Sequence, residues 1–394
     1  LYTIFGGMKS VLYTSVLQTP ILLLGSLIIL VLGFKELGGW DEMMRVCGAV
    51  TVNDYGDTMT NLIRSNDDAN FPWLGALIGS AIIGFWYWCT DQFIVQRVLS
   101  GKNEKEARRG TIFGAYLKLL PVFLFLIPGM IAFALHQKYI GAGGEGFLPM
   151  LANGTANADA AFPTLVAKLL PAGVKGLVVC GILAALMSSL ASLFNSSAML
   201  FTIDFYKRFR PETPEKKLVG IGQIATVVIV ILGILWIPIM RSVGDVLYTY
   251  LQDVQSVLAP GIAAAFLLGI CWKRTSAQGG MWGLIAGMII GLTRLGAKVY
   301  YSNAGEVADS TFKYLFYDMN WLFFCGWMFL FCIIVVIVVS LATEAPTAEK
   351  IQGLVFGTAT KEQKAATRAS WDHWDIIHTV IILAITGAFY WYFW

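Results

Sequence analysis

Charge is scarce in this chain: Asp, Glu, Lys and Arg together make up 13% of it, histidine occurs three times and cysteine six times. Set against 57% hydrophobic residues and a mean hydropathy of +0.67, so little charge excludes a soluble domain with one anchor. The net charge of +3 is too small for a nucleic-acid partner, and the basic residues sit in short connections between apolar runs. Cys89, Cys180, Cys271, Cys325 and Cys332 fall within or at the ends of apolar segments, leaving Cys47 alone in a polar loop. That spacing offers neither a disulfide framework nor a zinc site. The histidines His136, His373 and His378 lie near segment ends, and the last two are five apart instead of the four that would align them on a helix. A Gly-x-Ser-x-Gly elbow and a phosphate loop are both missing, so an enzyme is unsupported. Also missing at Leu1 are an initiator Met, a signal peptide and a polar leader, which reads as a fragment of a longer polypeptide.

What the chain has is apolar sequence in membrane-length runs. These lie at about 10–34, 72–97, 110–135, 176–203, 217–240, 244–271, 277–301, 320–342 and 373–394, nine candidate spans of an all-α polytopic membrane protein. The loop 35–70 carries seven acids against three bases, whereas 97–109 carries five bases against two acids. The connections 207–217 and 273–274 are also basic and fall on the side of 97–109 if all nine segments cross. Those loops are then cytoplasmic, in a plasma (inner) membrane, and Trp394 is outside. Between 137 and 174 an outside loop carries a possible surface helix at 162–170 and the sequon Asn153-Gly154-Thr155. The inside loop 342–371 is polar and reads as flexible.

One span organises the rest. Gly176 to Ile203 holds no charged side chain over 28 residues, about 42 Å of helix. It nevertheless carries Ser188, Ser189, Ser192, Asn195, Ser196 and Ser197. Helical spacing sets Ala185, Ser188, Ser189, Ser192 and Ser196 on one face. Such a stripe fits two readings: close packing between membrane helices, or oxygen ligands for a small hard cation, completed by carbonyls of an unwound helix.

Three further spans are interrupted. In 72–97, Gly84 is followed by Trp86, Tyr87, Trp88, Cys89, Thr90, Asp91 and Gln92, and apolar sequence resumes at Ile94. Asp91 and Gln92 are either interior polar or gating groups, or headgroup neighbours of an aromatic belt. In 110–135, Lys118 stands nine residues past Arg109, about 14 Å into the span, ahead of Pro121, Pro128 and Gly129. It lines a polar cavity or snorkels. In 244–271, Gln252, Asp253 and Gln255 precede Pro260 and Gly261, where a kink is expected. Asp253 is an interior charge or sits in a solvated first turn.

These residues resemble the sodium:solute symporter family, and within it the sodium/sugar cotransporters. The resemblance runs nearly end to end, through Leu1-Tyr2-Thr3-Ile4-Phe5-Gly6-Gly7, Trp86-Tyr87-Trp88-Cys89-Thr90-Asp91-Gln92, Ile94-Val95-Gln96-Arg97 and Met187-Ser188-Ser189-Leu190-Ala191-Ser192. It implies a LeuT-like inverted-repeat fold. Residues 1–35 would be the last helix of the first repeat, 72–271 the second five-helix repeat, and 272–394 peripheral helices. It also implies a sodium ion on the Ala185 carbonyl and the Ser188 and Ser189 hydroxyls, with further ligands from the first repeat. Lys118 and Gln252 would contact hydroxyls of a monosaccharide, Tyr87 would stack on its ring as a gate, and Trp88 would neighbour it. Gly84 stands where sugar carriers often place Asn or Thr, which leaves the cargo open between a glucose- or galactose-like hexose and an inositol or other polyol. A transporter-derived sensor or channel is a third possibility. Tyr13-Thr14-Ser15 and Ala191 replace the Asp and Thr of members thought to bind two sodium ions, so one sodium per sugar is expected.

Overall fold

The computed structural model describes residues 2–151, 154–241, 247–303 and 308–394, and within them the side chains of all but 2–12, 14, 15, 17, 239–241, 247, 249–250 and 303. Asn153 of the sequon and the side chains of Thr14 and Ser15 lie outside the described residues. Apart from isolated bridges, the regular structure is helical. The chain runs through α1 (Tyr2–Leu37), α2 (Trp40–Gly48), α3 (Trp73–Cys89), α4 (Gln92–Leu99) and α5 (Glu104–Pro121). A π-turn, Val122–Leu126, leads into α6 (Ile127–Gly141), followed by α7 (Ala161–Leu169) and α8 (Ala172–Met199). A second π-turn, Leu200–Tyr206, precedes α9 (Lys207–Phe209) and α10 (Glu215–Arg241). Then come α11 (Leu247–Cys271), α12 (Ala277–Asn303), α13 (Thr311–Lys313), α14 (Trp321–Ala342), α15 (Ala348–Ile351), α16 (Lys361–Ser370) and α17 (His373–Tyr392).

Among the described residues, eight helices are long and apolar enough to cross a membrane, and the pair α3 and α4, bent by 48° between Cys89 and Gln92, makes a ninth if it is taken as one broken span. These coincide with the nine apolar runs of the sequence. The bend follows from local chemistry: the Asp91 carboxylate accepts the Phe93 N–H at 3.0 Å, starting a new helix where the old one has ended. Pro121, which has no N–H to give, is followed by the first π-turn, so the span is loosened at this point without being broken. Helix α11, by contrast, continues without interruption through Pro260.

The helices cluster into two compact units. In one (Leu1–Thr60 and Phe113–Ser242), α1 runs antiparallel to α8. A Cβ on Gly25 would come within 2.8 Å of Val178, and one on Gly181 within 3.2 Å of Ile21, so small residues set the spacing. Ile29, Ile131, Leu135 and Leu165 form its core. Cys47, placed in a polar loop by sequence, is buried there because α2 folds under α6; burial pushes its thiol up to about 11, which makes it inert. The expected surface helix is α7, with Leu165 and Val166 turned inward.

In the other unit (Asn61–Ile112 and Val243–Trp394), α11, α12 and α14 pack together, with α3 against α11 and α14. Along α12 and α14, Gly279 faces Ser340, Gly283 faces Val336 and Gly287 faces Cys332, a four-residue repeat on both helices that fixes an antiparallel register. The loop 342–371 is more ordered than its composition suggests. It holds α15 and α16, the latter closed by a capping box in which Thr360 and Gln363 satisfy each other's backbone N–H groups. Helix α17 is tied at one end by Arg109 to Asp372 at 3.4 Å, and at the other by the Leu62 N–H, which donates to the Phe393 carbonyl at 2.8 Å.

Candidate functional site

Helix α8 divides its serines between two faces. Ser188, at 8% exposure, is buried with Ser192, Ser196 and Ala191, and the Ser196 hydroxyl donates to the Leu193 carbonyl at 2.9 Å. Ala185 is half-buried and Ser189 is exposed. Residues i, i+4 and i+8 follow one stripe, whereas Ser189 is turned about 100° from Ser188. The face expected as a single stripe is therefore a packed line of Ser188, Ser192 and Ser196 with Ser189 beside it, open to a further element. Three oxygens from Ala185, Ser188 and Ser189 suit a hard cation in kind but fall short of a full shell in number.

A fourth oxygen in the same unit is not singled out by the sequence. The contacts of Gly25 with Val178 and of Ile21 with Gly181 set the register of α1 on α8, and one further turn along brings Gln18 level with Ala185. Gln18 Oε1 is buried and accepts no hydrogen bond. A lone amide in an apolar run gives no periodic signal; only the register reveals it. Lys118, on the part of α5 that belongs to this unit, is exposed and lies one turn before the first π-turn.

In the other unit the expected residues lie at two levels. The Tyr87 and Trp88 rings meet edge to face at the end of α3, 5.3 Å apart. Tyr87 is half-buried and Trp88 is exposed. Gly84 has open space where a Cβ would project, so an Asn or Thr would fit there without a clash. Asp91 and Gln92, both half-buried, form the start of α4. Gln92 therefore opens a helix whose cap is Asp91, and the polar pair has a structural duty at the bend. On α11, the Gln252 amide donates to the Tyr248 hydroxyl at 2.8 Å.

Helices α3 and α11 both run antiparallel to α12, and they share a cluster at Ile82, Ala263 and Cys325. Gln252 lies eleven residues, about 16 Å of helix, before Ala263, and Tyr87 five residues, about 8 Å, after Ile82. The amide and the aromatic pair thus stand on opposite sides of that contact, at stations along the helices rather than in one pocket.

The same unit holds a buried cluster of charges around Asp253 that the sequence alone does not single out. Arg294 on α12 is fully buried, its guanidinium 4.1 Å from the centre of the Phe324 ring and 3.5 Å from Asp253 Oδ1. Lys298, one turn on, hydrogen-bonds Asp253 Oδ2 at 2.5 Å. Asp253, at 8% exposure, is therefore an interior ion-paired group and not part of a solvated first turn. The signal was available as two bases four apart inside an apolar run. Averaging hydropathy over the whole segment hides them. Among the described residues, no three or more His, Cys, Asp or Glu side chains gather to hold a metal.

Residues 1–287 match the model of the sodium:solute symporter family. The chain is 35% identical over its whole length to a sodium/mannose cotransporter of Bos taurus, covering 69% of that protein. Over 91% of its length it is 35% identical to sodium/myo-inositol cotransporter 2 of Homo sapiens, and over 87% it is 38% identical to sodium/glucose cotransporter 1 of Ovis aries. It covers 54% of each of these two, so the chain spans about half the length of such relatives. Among solved structures, the substrate-bound outward-open state of a Na+-coupled sialic acid symporter superposes with a TM-score of 0.65 at 22% identity, covering 88% of this chain and 65% of that one. Its fold is the LeuT-like one that the sequence resemblance implied. This chain belongs to the sodium:solute symporter family.

Proposed function

We propose that the chain forms the ion- and sugar-handling part of a sodium-coupled monosaccharide carrier that works by alternating access in a lipid bilayer. The observation that carries this reading is 35–38% identity to sodium-coupled cotransporters of mannose, myo-inositol and glucose over 87–100% of the chain. Sodium is the co-substrate. The Ala185 carbonyl and the Ser188 and Ser189 hydroxyls ligate it, Gln18 Oε1 is a further oxygen at that level, and a second helix completes the shell. Lys118 and Gln252 recognise sugar hydroxyls, the first as a donor and the second as donor and acceptor. Tyr87 and Trp88 offer aromatic faces to the C–H patch of a pyranose and act as the gate at the other station of the path, with Asp91 and Gln92 holding the bend beneath them. The inverted-repeat boundaries proposed from the resemblance are 1–35, 72–271 and 272–394. The basic loops are cytoplasmic and the C-terminus is outside.

One sodium is enough for useful work. At 100 mV the electrical term is about 2.3 kcal/mol per charge and a tenfold sodium gradient adds about 1.4 kcal/mol, a limit of several hundredfold accumulation. A second reading, an inositol or other polyol as cargo, is favoured by the open space at Gly84, which leaves out a polar contact, and by the myo-inositol relative. Titrating the purified full-length protein with glucose, galactose, mannose and myo-inositol, in sodium and then in potassium, separates these. Hexose binding that requires sodium is the expected result. Inositol binding without hexose binding favours the second reading, and binding indifferent to sodium contradicts both.

A further inference from the structure

Helices α11 and α12 meet at three successive levels, four residues apart on α11 and about one turn apart on α12. At the first, Gly261 lies against Gly287, where an added Cβ would be 3.0–3.3 Å from the opposite Cα. At the second, Gly291 faces Val257, and a Cβ there would be 2.5 Å from the Val257 carbonyl oxygen. The third level has no glycine. It has Asp253 between Arg294 and Lys298. The lower levels hold the helices by backbone contact, which fixes their separation; the third holds them by charge, which fixes a direction.

The two cations are not equivalent. Arg294 is anchored independently of α11: it donates to the Met319 carbonyl at 2.8 Å and the Leu315 carbonyl at 3.4 Å, and it lies on the Phe324 ring. Lys298 keeps about a third of its side-chain surface exposed, and its hydrogen bond is to Asp253. The carboxylate is thus what ties the first turns of α11 to a preset cationic socket. Asp253 is also the chain neighbour of Gln252, about 100° around the same helix. Turning α11 by about 15° would move a group 7 Å from its axis by almost 2 Å, and a misplacement of about 1 Å is enough to forfeit much of a positioned contact.

We propose that Asp253, Arg294 and Lys298 form an ionic rung that fixes the rotation of α11 and so aims the Gln252 amide at the sugar, with Asp253 and Lys298 as positioning residues for substrate recognition. The inference rests on Gln252 being a sugar contact. Apolar replacements of a buried ion pair by residues of similar volume are often at least as stable, so stability alone is a weak reason for this one. Directional specificity is what this one supplies.

The test uses the full-length protein in liposomes and reads hexose KM, maximal rate and sodium half-saturation for Asp253→Asn, Lys298→Met, Lys298→Arg, Gln252→Ala and the double variant Gln252→Ala with Lys298→Met. Lys298→Met is the safer probe, because Lys298 is at the edge of the buried cluster and its loss leaves Asp253 with Arg294. The rung predicts a hexose KM raised about tenfold in Lys298→Met and Asp253→Asn, with maximal rate and sodium half-saturation within twofold of the parent, and recovery of most of the loss in Lys298→Arg. It also predicts that Lys298→Met adds no further loss once Gln252 is Ala, the non-additivity of two residues acting as one. Multiplying losses in the double variant would overturn the proposal, as would an unchanged KM in Lys298→Met beside a raised one in Gln252→Ala. If Gln252→Ala alone leaves KM unchanged, the assignment of Gln252 as a sugar contact fails, and the rung loses its function with it.

Discussion

Ser188 and Ser189 are chain neighbours with different surroundings, and this difference governs what their substitution does. Ser188 is packed within its unit, so its removal mixes loss of a ligand with loss of packing. Ser189 is exposed, so Ser189→Ala changes a hydroxyl and little else. Sodium half-saturation of uptake is expected to rise about tenfold, the order of one lost interaction with a charged group, while the thermal midpoint stays within 1–2 °C. Unchanged sodium dependence would return the serine line to helix packing. Lys118→Ala is expected to raise hexose KM about tenfold while sodium binding, followed by calorimetry, survives; wild-type uptake would mean that the ammonium snorkels. At this scale the sequence exposed the serine line, Lys118 and Gln252, because each interrupts an apolar run. It did not expose which serines turn inward, since 100° per residue places neighbours on different neighbours' surfaces only once a partner helix is known. Gln18 and the Arg294–Lys298 pair carry meaning only through residues distant in sequence: helix register sets Gln18 level with Ala185, and packing brings the two bases to Asp253.

The elements were far more legible. Among the described residues each apolar run of membrane length is helical, in one piece or in two pieces joined at a bend or π-turn, because backbone groups in hydrocarbon have no other partner. The interruption at Thr90 and Asp91 is a helix end with its cap, and the one at Pro121 a π-turn. Pro260 did not interrupt α11. The polar composition of the loop 342–371 does not announce α15 and α16, because the capping box from Thr360 to Gln363 is a four-residue signal lost in it. Glycine repeats explain how α11, α12 and α14 come together, and they set a paired prediction. Gly291→Ala would place a methyl 2.5 Å from the Val257 carbonyl, forcing the helices apart at a cost of about 1–3 kcal/mol. Gly296→Ala has open space and should be neutral or slightly stabilising. Thermal unfolding in detergent reads both: a clear drop for the first alone is expected, and equal midpoints would contradict the glycine register.

For the whole molecule, the membrane-length helices of the described residues and the charge asymmetry between loops are legible in the sequence because lipid is a simple solvent with a simple rule for charge. The division into two units was not, since it depends on which apolar faces choose each other. Stoichiometry belongs to this scale as well. With Ser15 where members thought to bind two ions carry a carboxylate, one charge moved per sugar and a Hill coefficient near one for sodium are expected; two charges with a coefficient clearly above one would contradict a single ion. Sodium-driven accumulation is tested by uptake of labelled hexose into liposomes holding the full-length protein, with an inward sodium gradient and with potassium in its place. Accumulation well above equilibrium in sodium, collapsing when the gradient is dissipated, is the expected result. Equal uptake in the two salts, or none for any hexose by folded protein, would contradict it.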